Sequence, residues 1–215
     1  MDSASSTLFH MLTNTPNQPN RLTVDEYLQF EEKSEVRHEF FKGKVYAMAG
    51  TTLTHNLLVD NVKDLLKRHF RPRGCQVFSE SIKVEVIRGI YIPYPDVIVT
   101  CHPFDLRGEQ YLIRQPRILV EVLSKSTAHI DRGFKWRNYR KLPSLWYYVL
   151  VDQYSTTVEL FSRIEQTDEW INTMYESVDD TVVFPRLDFE LTVGAIYAGI
   201  ELLPEADDTP TDLQP

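Results

Sequence analysis

An aspartate and a glutamate stand in stretches that otherwise read as buried strands: Asp96 in YPDVIVT (94–100) and Glu121 in RILVEVLS (117–124). Both stretches are dense in β-branched residues, so each acid interrupts a run suited to a sheet interior. A carboxylate among apolar side chains is costly unless it is paired, hydrogen-bonded or bound to a cation. A shared Mg²⁺ or Mn²⁺ would meet that need, because hard divalent cations take oxygen ligands, commonly one or two carboxylates plus waters and substrate phosphates. The chemistry such a pair supports is metal-assisted phosphodiester hydrolysis. The competing reading of Asp96 is a strand-end acid satisfied by backbone N–H groups after Pro95. Glu121, with Ile118, Leu119, Val120 and Val122 around it, has less access to that solution.

The elements that must position these acids follow from periodicity. Thr23 followed by Glu26 has the form of a capping box, and LTVDEYLQFEE continues it as a short helix. HEFFKGKVYAM (38–48) places aromatic and β-branched residues on either side of Lys42-Gly43, which predicts a hairpin. Leu58, Val62, Leu65, Leu66 and Phe70 recur at helical spacing over 55–70, with Thr51, Thr52 or Thr54 as the cap. Residues 76–87 alternate as one strand, and 94–100 and 117–124 follow as two more. DRGFKWRNYRKL (131–142) reads as a basic helix stopped by Pro143, and LWYYVLVD (145–152) as a buried strand. Strands near 157–162, 170–176 and 181–184 precede a helical stretch over 193–202. This order predicts an α/β sheet with helices on its faces. No Gly-rich phosphate loop is visible in the sequence.

Composition excludes several classes. At 215 residues, 42% hydrophobic and 25% charged, the chain suits one globular domain. Residues 1–20 and the acidic 204–215 read as loose ends, which leaves 21–203 as the domain. No run of about eighteen apolar residues occurs, and the first thirty residues lack the blocks of a signal peptide, so a cytoplasmic protein with no membrane partner is expected. The two cysteines, Cys75 and Cys101, show no CxxC spacing and are expected to be reduced core thiols. A net charge of −8 argues against a surface that grips nucleic acid everywhere, so any basic contact must be local. Two stretches qualify, one holding Lys63, Lys67, Arg68, His69, Arg71 and Arg73, the other Arg132, Lys135, Arg137, Arg140 and Lys141. Within them Lys67, Arg132 and Arg137 are candidates to touch nucleic acid.

Pro95-Asp96 at a strand start, followed 25 residues later (121 − 96) by Glu121, resembles the signature of the PD-(D/E)XK nuclease superfamily. The lysine of that signature would fall at position 123, which is Leu123 here. The following stretch, EVLSKSTAHIDRGFKWRNYRKLPSLWYYVLVD, resembles the restriction-endonuclease domain family of Uma-two type, with Glu121, Ser124, Ser126, Thr127, Asp131, Lys135, Tyr139, Trp146 and Asp152 on its pattern. The resemblance covers roughly residues 22–202. It implies a restriction-endonuclease-like mixed sheet flanked by helices, with an N-terminal helix and strand hairpin. It also implies Asp96 and Glu121 as metal ligands and a lysine relocated to the following helix, namely Lys135, as the third catalytic residue. Glu39 and His55 match upstream positions and are possible accessory members.

Each residue also has a plainer reading. Lys135 would be a solvated lysine on a basic face, His55 a hydrogen-bonding residue near a helix start, and Glu39 an ion-pair partner of Arg37 or Lys44. Tyr139, Trp146, Tyr147 and Tyr148 sit at spacings that serve a core. His102, His129 and Cys101 lack zinc-ligand spacing. The leading expectation is therefore a Mg²⁺-dependent endonuclease acting on DNA as a homodimer, two sites serving two strands. The alternatives are a degenerate nuclease fold used for nucleic-acid or protein binding, which Leu123 favours, and a phosphodiesterase acting on RNA or a nucleotide.

Overall fold

The capping box forms as expected: the Glu26 backbone N–H donates to Thr23 Oγ1, the Glu26 carboxylate accepts from the Thr23 backbone N–H, and helix α1 (Val24–Lys33) begins there. The computed structural model describes residues 21–48, 50–79, 81–108 and 111–202. The expectations for 1–20 and 204–215 lie outside them. Strands β1 (His38–Phe41) and β2 (Lys44–Ala47) make the hairpin, and both turn residues have positive φ, 50° at Lys42 and 84° at Gly43. That is the twist a two-residue hairpin loop demands. A Cβ on Gly43 would also lie 2.6 Å from that of Arg21, so the chain passes too close for any larger residue.

Helix α2 (Leu53–Phe70) starts at Thr52, whose hydroxyl accepts from the His55 backbone N–H. It buries Leu58, Val59, Val62, Leu66 and Phe70, each worth about 1.5–3 kcal/mol when removed from water. Next come β3 (Gln76–Ser79), β4 (Lys83–Val84), β5 (Tyr91–Ile92), β6 (Val97–Thr100), β7 (Leu112–Ile113) and β8 (Pro116–Leu123). Helix α3 then runs through an α-helical turn (Ala128–Ile130), a π-helical turn (Asp131–Lys135) and a second α-helical turn (Trp136–Tyr139). Strands β9 (Tyr147–Asp152), β10 (Val158–Arg163), β11 (Trp170–Tyr175), β12 (Thr181–Phe184) and β13 (Phe189–Thr192) lead to the short helix α4 (Val193–Ile196).

The main sheet has six strands in the order β11-β10-β9-β8-β6-β3. Strands β8 and β9 are parallel, joined through α3, while the remaining neighbours in the sheet are antiparallel. This is the expected mixed sheet. Alternation sorts the side chains: Val97, Val99, Ile118, Val120 and Val122 pack with α2, whereas Ile98, Leu119, Leu123, Tyr148 and Leu150 pack with Tyr139 of α3. The hairpin and β5 form a separate three-stranded sheet beneath α1.

Three expectations need correction. The alternation over 76–87 belongs to two strands, because β3 pairs with β6 whereas β4 leaves to pair with β7. A period of two cannot reveal where a chain changes partner. The stretch 193–202 is helical only to Ile196, and Gly199 has φ 72°. Cys75 and Cys101 are not free thiols but a disulfide, with Cα atoms 4.1 Å apart. The register Gln76↔Thr100 sets them opposite one another across β3 and β6, a juxtaposition that spacing along the chain does not encode.

Candidate active site

The acids meet through sheet register. Strands β6 and β8 pair Val97 with Val120, so one further step of the same register sets Asp96 opposite Glu121. Directly opposed residues on antiparallel strands share a face and have Cβ atoms about 4.5–5.5 Å apart. Asp96 itself lies just outside the β6 ladder, after Pro95, which has no N–H to contribute. Its Oδ2 accepts the Val122 backbone N–H at 2.7 Å and lies 3.3 Å from His55 Nε2. Among the described residues, Oδ1 forms no hydrogen bond or ion pair.

Glu121 is 2% exposed on the α3 face of β8, between Leu119 and Leu123. Both of its oxygens are engaged: Tyr139 donates its hydroxyl to Oε1 at 2.7 Å, and Lys135 Nζ lies 2.9 Å from Oε2. The same ammonium lies 3.0 Å from Asp131 Oδ1, one turn earlier in α3. The helix passes through its π turn at this point, and such wide turns often mark functional sites. Tyr148 helps hold the wide turn, its hydroxyl donating to the Asp131 carbonyl at 3.2 Å.

His55 is brought in by the start of α2. Thr52 caps that helix and donates its own hydroxyl to Gln153 Oε1 at 2.6 Å, while Gln153 Nε2 donates to the Leu123 carbonyl at 2.9 Å. The helix N-terminus is thereby tied to the ends of β8 and β9. His55 Nδ1 is buried and makes no well-formed hydrogen bond among the described residues. Glu39 reaches the cluster from β1, where it is buried and electrostatically coupled to Lys135, Asp131 and Asp96.

Four carboxyls thus surround one ammonium and one imidazole. Burial pushes the Glu121 carboxyl well above its usual range; Lys135 opposes this, while Asp96 and Asp131 add to it. Glu39 is raised by burial too, against the pull of Lys135 and the Tyr94 backbone N–H. Burial works against a charged Lys135, but Asp131, Glu121 and Glu39 outweigh it and hold the ammonium well above its ordinary pKa. At His55, burial is likewise outweighed by the hydrogen bond and charge of Asp96, so the imidazole is raised.

Among the described residues no group of three or more His, Cys, Asp or Glu side chains is arranged to hold a metal ion. A cation that keeps most of its waters needs only one or two carboxylates. Asp96 and Glu121 could supply these, Asp96 through its uncommitted Oδ1 and Glu121 through an oxygen shared with Lys135. The Glu121 carboxyl, which burial holds well above its usual range, is a donor whose burial a divalent cation would relieve.

Of the sequence-derived candidates, the structure gathers Asp96, Glu121, Lys135, His55 and Glu39. It does not gather the three proposed nucleic-acid contacts. Arg132 is spent on Glu159 at 2.7 Å, and Arg137 is exposed on α3. Lys67 lies twelve residues along α2 from His55, about 18 Å at 1.5 Å per residue. Asp131 and Tyr139 have contacts that sequence reasoning did not assign. The spacing of Asp131 four residues before Lys135 was the available signal for the first. Tyr139 falls on the family pattern, but its spacing suits a core tyrosine and does not reveal the hydrogen bond of its hydroxyl to Glu121.

The mixed sheet, with its parallel β8–β9 pair joined through α3, is an α/β domain of restriction-endonuclease-like fold. The chain belongs to the Uma2 family, whose model, described as "Putative restriction endonuclease", matches residues 24–194. Two Synechocystis sp. proteins, the uncharacterized slr1290 and sll1609, are each 32% identical, the first over 88% of this chain and 99% of its own length, the second over 71% and 86%. A solved structure described as a "putative nuclease belonging to DUF820" from Anabaena variabilis superposes with a TM-score of 0.67 at 17% identity, covering 82% of this chain and 97% of that one. At that identity the likeness is one of fold. No helix among the described residues is long and apolar enough to cross a membrane.

Proposed function

We propose that this protein is a divalent-metal-dependent endonuclease that hydrolyses phosphodiester bonds in DNA, with Asp96 and Glu121 as ligands and Lys135 as the relocated active-site lysine. The observation that carries the reading is Glu121 Oε2 at 2.9 Å from Lys135 Nζ, on the strand position that register sets opposite Asp96. A bound Mg²⁺ or Mn²⁺ would supply Lewis acidity toward the phosphate and acidity to a water. The chain's own residues do the rest. Lys135 offsets negative charge that develops on the phosphoryl oxygens, in a site where burial strengthens every such interaction. Tyr139 and Asp131 orient Glu121 and Lys135. His55 holds Asp96 turned toward β8, and Glu39 adds to the negative field that retains the ammonium. A homodimer would present one site to each strand of a duplex.

The competing reading, a degenerate fold kept for binding, draws on Leu123, which leaves the usual lysine position of β8 apolar. Nicking of supercoiled plasmid in Mg²⁺ or Mn²⁺, with a single-stranded RNA of equal length in a parallel arm, separates the possibilities. Metal-dependent conversion to open-circular DNA is expected. Cleavage of RNA alone would move the substrate to RNA, and cleavage of neither would leave the binding module.

A further inference from the structure

Two arginines share one indole ring at the opposite end of β8 from the acids. The guanidinium carbons of Arg117 and Arg186 lie 4.3 Å and 4.1 Å from the ring centroid of Trp146. Glu121 is four residues further along the strand from Arg117, about 13 Å at 3.3 Å per residue, so the two regions are distinct.

Elsewhere in this acidic chain arginines find carboxylates: Arg114 pairs with Glu85 at 2.6 Å, Arg132 with Glu159 at 2.7 Å and Arg163 with Asp168 at 3.0 Å. Arg117 donates to the Ser144 carbonyl at 3.0 Å, but among the described residues it makes no ion pair. Arg186 approaches a carboxylate only at 4.0 Å, that of Glu165, which is 68% exposed. Burial and the charge of Arg186 together hold the Arg117 pKa below the usual arginine range, outweighing the opposing charge of Asp105. Stacking on the ring accounts for where the guanidiniums sit, but it does not neutralise them.

Arg186 also lines a groove of about 380 Å³ between the β9–β11 face and the segment after β12, alongside Arg163, Tyr147, Ser162 and Thr173, with the exposed Glu165 as the one carboxylate in its wall. Its volume lies within the range of small-molecule sites, about 300–1,000 Å³. Hydroxyls beside a guanidinium are donors suited to phosphate oxygens, and arginine binds such groups through paired N–H donors.

We propose that Arg186 and Arg117, with this groove, bind a phosphate group, carried either by inorganic phosphate or by a mononucleotide whose remaining atoms occupy the groove. The site is independent of the hydrolytic reading and does not require it.

Titration calorimetry at constant ionic strength tests this with inorganic phosphate and with thymidine 5′-monophosphate, on the wild type and on Arg186→Gln, Arg117→Gln and Glu121→Gln. Saturable binding is expected in the wild type and in Glu121→Gln, weakened by about tenfold or more in both arginine variants. Tighter binding of the nucleotide assigns the groove to it, and equal binding assigns the site to free phosphate. Absence of saturable binding, unchanged binding in Arg186→Gln, or loss in Glu121→Gln overturns the proposal. Arg186, on a short surface turn, decides the matter if Arg117→Gln fails to fold.

Discussion

Lys135 Nζ and Glu121 Oε2 stand 2.9 Å apart, joining the crossover helix to the strand on which Leu123 fills the position where the superfamily signature carries its lysine. The pair is buried, and Asp131 on the same helix grips the ammonium from the other side at 3.0 Å. Two acids and one cation therefore share a dry site, with the ammonium held between the two carboxyls.

Lys135→Ala removes the cation and leaves Glu121 and Asp131 facing each other in that site. Breaking a buried pair in this way costs about 3–5 kcal/mol of stability. Loss of a preorganised charge at a reacting phosphate costs about 10²–10³ in rate. Urea unfolding and initial nicking rates read the two effects. A variant of unchanged rate would remove Lys135 from the chemistry.

Tyr139→Phe keeps the ring in the core and deletes the hydroxyl that donates to Glu121 Oε1 at 2.7 Å. A buried acceptor that loses its donor costs about 1–3 kcal/mol. Denaturant midpoints measure that loss, and weaker Mn²⁺ binding by calorimetry is expected as the carboxylate loses its fixed orientation. A variant matching the wild type in both would leave Tyr139 as packing alone.

Protons should be released when metal binds. Burial raises the Glu121 carboxyl, so the metal-free folded state holds a proton at pH values where the unfolded chain, with an ordinary glutamate near pKa 4.3, has lost it. The folded state then binds more protons than the unfolded one, and this group's contribution to stability falls as pH rises above the ordinary carboxylate range. A cation must displace that proton, so affinity rises with pH. Mn²⁺ titrations in two buffers of different ionisation enthalpy should give different apparent heats; identical heats would contradict the claim.

Reducing the Cys75–Cys101 bridge should lower stability by about 2–4 kcal/mol, since it frees a loop spanning 26 positions in the unfolded chain. Thermal unfolding with and without dithiothreitol measures this, with a Cys75→Ser/Cys101→Ser double variant as the control. An unchanged midpoint on reduction would mean that the thiols do not form a bond in solution.

Sequence periodicity located most elements because each buries one face. Thr23 and Glu26 announce α1, Lys42-Gly43 announces the hairpin, and the apolar spacing from Leu58 to Phe70 announces α2. The acids were legible for the same reason, as charges in runs that otherwise avoid them. The features beyond its reach depend on partners distant in the chain. Gln153 tying α2 to β8, Cys75 facing Cys101, and the Tyr139 hydroxyl on Glu121 are consequences of register and helix docking. The change of partner between β3 and β4 leaves the alternation of side chains intact, so the pattern gave no sign of it. The pairing of Arg132 with Glu159 on β10 likewise joins residues that only the fold brings together.

The most direct test replaces each acid by its uncharged isostere. Single-turnover cleavage of supercoiled DNA in Mn²⁺ should fall by about 10³ or more in both Asp96→Asn and Glu121→Gln, with each variant retaining the wild-type circular dichroism spectrum. Wild-type cleavage rates in the two folded variants would contradict the assignment of Asp96 and Glu121 as the centre of this site.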